Sequence, residues 1–328
     1  MKSLLSAIGL IVLVMPSSLS AQWPAYPTPG VPKLPDGQPN LSGPTPRTAD
    51  GKPDLSGLWQ NGGGAGQRGQ RGAPADGATA APGAPGDGQR GAAAGAPGGG
   101  QRGGGRGAPG GGQGGAAGAP GGGQRGGQGL PPDGVPNATF FNIGAGFKDG
   151  LPLQPWAAEL VKKRVADNSK DNPDAHCLPM GFMQFHMHPQ PRKIIQTPGL
   201  VLIIYEANNG LRQIFTDGRT LPQNDPQPWW YGYSVGKWEG DTLVVETTGF
   251  IDDIWLDVNG NPLTEAGKVV EKFRRPNFGT LEVEVKIDDP KAYTRPFTVK
   301  LTQRIMLDAE LIEFICEERD ATHYVGAK

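Results

Sequence analysis

An antiparallel β-barrel or sandwich with one short helix is the architecture this chain encodes, and two patterns carry that reading. The first is strict two-residue alternation. In "TLEVEVKI" Leu281, Val283, Val285 and Ile287 fall on one face and Glu282, Glu284 and Lys286 on the other, as a strand with one buried and one wet side requires. "FTVKLTQRI" alternates likewise, and "ELIEFICEE" brings Ile312, Phe314 and Cys316 to one side. The second is a series of hairpin signals. "GLVLIIYE" and "LRQIFT" flank Asn209-Gly210, with Asp217-Gly218 following, and "GYSVGKW" and "TLVVETT" flank Glu239-Gly240-Asp241. Asn, Asp and Gly tolerate the positive φ that such turns need. Successive strands with hairpin signals and scarcely any helix point to a closed or nearly closed sheet. The one helix signal is "PWAAELVKKRVAD": Pro155 suits the first helical position, and Trp156, Leu160, Val161 and Val165 share a face.

Four segments follow from composition. Residues 1–21 carry Lys2, an apolar run from Leu4 to Met15 and a small-residue exit, the layout of a secretory signal peptide. The run falls short of the ~20 apolar residues that span a bilayer, so an exported protein, periplasmic or secreted, without a membrane span is expected. Residues 22–60 form an extended Pro-rich arm with a doublet, "DGQPNLSG" and "DGKPDLSG". Each copy reads as a turn with one apolar anchor, Leu41 or Leu55, and the second continues through Leu58 and Trp59 as a strand docking on the core. Residues 61–129 are almost only Gly, Ala, Pro, Gln and Arg. With nothing to bury they are expected to be disordered, a solvated spacer whose Arg-Gly steps could contact anionic envelope polymers. Residues 130–328 are the β-rich domain, roughly 200 residues and enough for one core.

The formal net charge of -1 gives no global field for nucleic acid, and export removes the RNA reading of the Arg-Gly steps. The chain has 2 Cys, Cys177 and Cys316. In an oxidising compartment an even pair is expected to bridge, closing a loop of about 139 residues worth about 4–5 kcal/mol in the loop-entropy model. Two buried thiols are the alternative.

Several stretches quoted above, with others, resemble a group of exported proteins of acidobacteria and related environmental bacteria. They are "DLSGLW", "IIQTPGLVLIIYE", "RQIFTDGR", "YSVGKWEGDTLVVETTGF", "WLD", "IDDPKAYTRPF" and "EFICEE". The resemblance covers Asp54 to Trp59 and most of Pro179 to Glu318. It implies a loosely lipocalin-like β-barrel and export, and brings no catalytic residue with it. The Gly/Arg-rich insert and the "HMH" triplet fall outside the group's pattern.

Three sets of residues are site candidates. "PQPWWYGYSVGKW" gathers Trp229, Trp230, Tyr231, Tyr233 and Trp238. Flat amphipathic rings after Pro-Gln-Pro suit a ligand at a barrel mouth, whereas a hairpin core accounts for Tyr233 and Trp238 without any ligand. The polar set Glu206, Arg212, Asp217 and Arg219 is explained by cross-strand ion pairs on a wet face. Facing a lumen, the same residues would place a desolvated carboxylate beside arginine, as acid–base chemistry uses, with Arg274 and Arg275 available as an anion clamp. Four His occur, and "HMH" puts His186 and His188 on one side of a strand with His176 upstream. A His-X-His pair with a third ligand can hold zinc or copper, but there is no second ligand cluster and Pro189 suits an irregular surface stretch. No metal or cofactor is assigned. No nucleophile elbow, P-loop or nucleotide fingerprint occurs.

The expected function is therefore an exported barrel that binds a partly apolar or sugar-like small molecule, with Trp229, Trp230 and Tyr231 at the mouth and Arg212 or Arg219 orienting its polar end. The alternative is a lyase, isomerase or hydrolase in the same lumen, with Glu206, Asp217 or Asp241 as the catalytic carboxylate beside an arginine. A third reading makes the protein an envelope scaffold acting through its insert.

Overall fold

A computed structural model describes residues 27–62, 134–223 and 227–314. The expected signal peptide, the insert from residue 63 on, and Cys316 with its pairing to Cys177 lie outside the described residues. In chain order the elements are β1 (Gly57–Asn61), α1 (Pro155–Ala166), α2 (Phe182–Met187), β2 (Arg192–Thr197), β3 (Leu200–Tyr205), β4 (Leu211–Phe215), β5 (Tyr233–Glu239), β6 (Thr242–Thr248), β7 (Ile254–Trp255), β8 (Pro262–Leu263), β9 (Lys268–Asn277), β10 (Thr280–Asp288) and β11 (Phe297–Met306). Nine strands close a barrel in the order β1-β11-β10-β9-β6-β5-β4-β3-β2, and β7–β8 form a separate two-stranded sheet. No helix among the described residues is long and apolar enough to cross a membrane.

Alternation fixes what enters the lumen. On β10 Leu281, Val283, Val285 and Ile287 are buried while Lys286 faces solvent. On β11 Phe297, Val299, Leu301, Gln303 and Ile305 are buried. Every barrel pair is antiparallel except β4–β5, which run parallel and meet only at Ile214↔Ser234 and Phe215↔Val235. The chain leaves β4 through Asp217 and Arg219 instead of turning straight back, so no hairpin links those two strands. In the β5–β6 hairpin Glu239 faces Thr242, with Gly240 at φ 60 supplying the left-handed turn position.

The arm completes the barrel. β1 pairs with β11 on one side and β2 on the other, so it removes the last sheet edges. Its sequence doublet is also a structural doublet. In the first copy the amides of Leu34, Gly37 and Asn40 donate to the carbonyls of Gln38, Leu34 and Pro32; in the second those of Thr48, Gly51 and Asp54 donate to Lys52, Thr48 and Pro46. The two anchors differ: Leu55 is buried, whereas Leu41 stays exposed and is tied by backbone, accepting from Gly279 N at 2.8 Å.

Three sequence expectations need correction. First, α1 begins at Pro155, but its buried residues are Ala157 and Arg164, while Trp156 and Val165 remain about half exposed. Arg164 docks the helix in place of an apolar stripe. It lies 4.2 Å over the Trp255 ring, donates to Gly260 O at 2.7 Å and pairs with Asp253 at 2.6 Å. Second, residues 309–314 form no strand and Ile312 is 70% exposed. With β1 on the free edge of β11, no edge remains for another strand to pair with. Third, "HMH" does not lie on a strand. His186 belongs to α2, whose six residues are all buried, and His188 is extended (φ -62, ψ 142) because the residue before a proline is driven out of the helical region.

The two barrel ends are closed differently. Arm residues cover one: Arg275, over the Trp59 ring at 4.9 Å, donates to the carbonyls of Asp54 (2.6 Å), Ser56 (3.2 Å) and Phe278 (2.6 Å). α2 plugs the other.

Candidate functional site

The site is built where α2 enters the barrel. Phe182 stacks on Phe250 at 5.6 Å and Phe185 stacks on Tyr205 at 4.4 Å, so aromatic contacts hold the short helix at both ends. Gly181, just ahead of it, allows the approach: a Cβ there would sit 2.4 Å from Trp255 O. His186 is thereby driven into the lumen, with its Nε2 2.8 Å from Glu271 Oε1.

Glu271 occupies an inward position on β9 between Val269 and Phe273. Arg212, inward on β4, meets it with both terminal nitrogens, one at 2.9 Å. The guanidinium also donates to Thr247 Oγ1 (3.0 Å) and Ser234 Oγ (3.1 Å), and those hydroxyls bond each other at 2.9 Å. Its carbon lies 5.2 Å over the Phe182 ring. All five polar side chains are buried. Charged groups this enclosed are tolerated only when hydrogen-bonded throughout, and this Arg–Glu pair is.

Electrostatics assigns the protons. Burial alone would push the Glu271 carboxyl up, but the Arg212 charge and hydrogen bonds, joined by the His186 hydrogen bond, hold it at about 2. The group is therefore an ionised acceptor. Burial lowers the His186 pKa, and the Arg212 and Arg192 charges lower it further against the pull of Glu271. A neutral imidazole facing a carboxylate carries its proton on Nε2, which leaves Nδ1 as a lone pair. That atom has no hydrogen-bond partner among the described residues. Two more orphans belong to residues that contact His186: the Tyr205 ring lies 6.1 Å from the imidazole and Arg192 donates to the His186 carbonyl. The Tyr205 hydroxyl lies near Arg212 without a hydrogen bond of good geometry, and burial raises its pKa to about 12. Arg192 on β2 donates to the carbonyls of His186 (2.6 Å), His188 (3.0 Å) and Gln190 (3.2 Å) but leaves Nε unused; burial lowers its pKa to about 10.

The sequence-derived candidates separate. Arg212 is lumenal, and Tyr231 packs beside α2, 5.5 Å from Phe185. Trp229, 43% exposed, bridges Phe250, the ring on which Phe182 of α2 stacks, and meets Tyr233 edge-on at 6.2 Å; Tyr233 stacks on Phe215 at 5.3 Å, those two rings on the outer wall beside the inward Ile214 and Ser234. Trp230 is half-buried next to it. Arg219 lies outside too, 3.8 Å over Phe215, clasped by Asp217 at 2.6 Å and donating to Tyr233 OH at 3.1 Å. Asp241 sits on the β5–β6 turn, bidentate with Arg47 at 2.8 and 2.7 Å. These two carboxylates are structural ion pairs at the surface, not lumenal acids. Glu206 lies just past β3, accepts from Ile312 N at 3.2 Å and has its pKa raised by burial. Arg274 pairs on the outer wall with Glu282 at 2.5 Å, so it forms no anion clamp with Arg275. His176 is exposed whereas His186 is buried, and among the described residues no three His, Cys, Asp or Glu cluster as a metal site.

Sequence reasoning missed Glu271, Ser234, Thr247, Tyr205 and Arg192. The available signal was phase. In "KVVEKFRR" Val269, Glu271, Phe273 and Arg275 share one parity, so a carboxylate on an otherwise apolar phase marks a lumenal charge.

Two surface concavities lie elsewhere. One, of about 570 Å3, is lined by Trp156, Leu160, Asp252, Pro262, Glu265 and Lys291 among others. The other, about 320 Å3, lies along the outer wall by Arg274, Glu282 and Lys300. Comparison with protein-family models, curated proteins and solved structures found no match to this chain.

Proposed function

We propose that the protein is an exported β-barrel that binds a small, partly apolar molecule at its α2-plugged end. The observation that supports this is a set of under-satisfied buried polar atoms there: His186 Nδ1 and Arg192 Nε have no hydrogen-bond partner among the described residues, and Tyr205 OH has only a poorly aligned Arg212 beside it. An orphaned buried polar group costs about 1–3 kcal/mol, a cost recovered when a ligand supplies the missing partners. The surroundings set its character. Phe182, Phe185 and Tyr231 offer apolar contact, Arg192 Nε–H and Tyr205 O–H donate, and Nδ1 accepts. A hydroxyl or phenol on an apolar body can donate to Nδ1 and accept from such donors. α2 itself carries one of the under-satisfied atoms, and its six residues are held by the aromatic contacts, by the His186–Glu271 hydrogen bond and by Arg192 on the His186 carbonyl.

The test is a titration of the full chain with phenolics, sterols and oligosaccharides, following tryptophan emission and melting temperature. A phenolic or sterol is expected to raise the melting temperature, and His186→Phe is expected to abolish that rise. No response across the panel overturns the reading.

A lumenal acid–base enzyme is the second reading, favoured by one feature. Glu271 fixes the His186 tautomer and leaves Nδ1 free, the relation between an orienting carboxylate and a general base. In that reading His186, not Glu206, Asp217 or Asp241, takes the proton. Turnover of a panel compound that disappears in both His186→Phe and Glu271→Gln would distinguish it from simple binding.

A further inference from the structure

The groove of about 570 Å3 between α1, β8 and the loop at Lys291 is separate from the lumen, and its size falls in the range of small-molecule sites. One wall is the Trp156 indole, 48% exposed. It is not a loose surface ring, because its Nε1–H donates to Lys291 O at 2.8 Å and sets the plane of the indole. Leu160 and Pro262 extend the apolar side.

The polar side is unusually varied in hydrogen-bond character. Lys291 Nζ pairs with Glu265, and the Asp252 carboxyl hydrogen-bonds Glu265 as well. Burial and the neighbouring Glu265 push the Asp252 pKa up, whereas the Lys291 hydrogen bond holds Glu265 down. The groove thus offers two carboxyl groups and an ammonium beside one fixed aromatic face. Asp253 is already held by Arg164 and adds no free acid.

We propose that this groove is a carbohydrate-binding site, with a sugar ring stacked on Trp156 and its hydroxyls bridging Asp252, Glu265 and Lys291. Each sugar hydroxyl both donates and accepts, which matches neighbours of opposite character. The apolar C–H face of the ring matches an indole plane. An organic cation would also stack on indole; the Lys291 ammonium opposes it while Asp252 and Glu265 attract it, so amines are the competing ligand class in the test.

The test uses the full chain and saturation-transfer NMR with neutral disaccharides built from glucose, galactose or N-acetylglucosamine, alongside choline and a simple diamine. At least one disaccharide is expected to bind, and Trp156→Ala is expected to weaken it roughly tenfold or more, while Trp156→Phe retains most of it. Because Trp156 is half exposed, the melting temperature of Trp156→Ala should stay close to that of the parent and so exclude misfolding. Absence of any sugar signal, sugar binding that Trp156→Ala leaves unchanged, or preferential binding of the amines would each overturn the proposal.

Discussion

His186 and Glu271 meet at 2.8 Å with both side chains enclosed by the barrel wall, so one contact joins the plug helix to the lumen. Glu271 serves Arg212 as well. Removing its charge therefore leaves a buried guanidinium without a counter-ion. Glu271→Gln is expected to cost about 3–5 kcal/mol, the range for breaking one side of a buried pair, measured as a lower denaturant midpoint. Glu271→Gln with Arg212→Met should cost less than the two single changes added together. Asp241→Asn, which breaks the solvated pair with Arg47, should leave the midpoint unchanged. Equal losses for Glu271→Gln and Asp241→Asn would show that the lumenal pair contributes no more than a surface one.

The same pair sets a pH dependence. The folded His186 pKa is below its ordinary 6.5, so between those two values the unfolded chain binds more protons than the folded one. Stability then rises with pH across that window and is lost as pH falls below 6.5. Glu271, shifted from 4.5 down to about 2, has the same sign at lower pH: its contribution is complete above 4.5 and disappears toward 2. Urea unfolding at about pH 7.5 and about pH 5 should show a drop in stability that shrinks in His186→Gln. An unchanged drop in that variant would remove His186 from the account.

How far these features were legible in the chain depended on periodicity. β10 and β11 are long enough for alternation to show which residues point inward, and the β5–β6 hairpin is marked by Gly240. α2 has six residues and no polar face, so neither a 3.6-residue period nor a cap marks it, and "HMH" was consistent with a strand. The helical face of α1 was misjudged because an arginine, Arg164, supplies the buried contact. The lumenal cluster takes Arg212, Ser234, Thr247 and Glu271 from four barrel strands and His186 from the plug. Only barrel closure brings residues so far apart in sequence together, whereas Asp217 and Arg219, two residues apart, looked like a site and pair with each other on the outer wall.

Gly181 is where the plug is most sensitive. Its φ of -61 suits any residue, so alanine brings no backbone strain. The added Cβ would sit 2.4 Å from Trp255 O and 2.6 Å from Ile254 Cγ2, and neither backbone nor core can yield cheaply. Gly181→Ala is expected to cost about 1–3 kcal/mol, as overpacking does. It should also loosen α2, seen as faster hydrogen exchange across residues 182–187 than across β10. Uniform exchange changes throughout the barrel would argue against α2 as a separable plug.

β1 is the closing strand, and Trp59 is its deepest residue, fully buried under the Arg275 guanidinium with its Nε1–H on Leu55 O at 3.0 Å. Trp59→Ala removes the largest apolar contact β1 makes with the lumen, at a cost of about 3–5 kcal/mol. The consequence extends beyond the cavity. A weakened β1 exposes the edges of β2 and β11, which pair with it at Arg192 and Ile305, and unpaired edges recruit other chains. Trp59→Ala should therefore melt earlier and scatter light in a concentration-dependent way below its melting temperature. Leu41→Ala, made at an exposed arm residue, should do neither. A Trp59→Ala protein that melts early but stays monodisperse would mean that the barrel remains closed without this anchor.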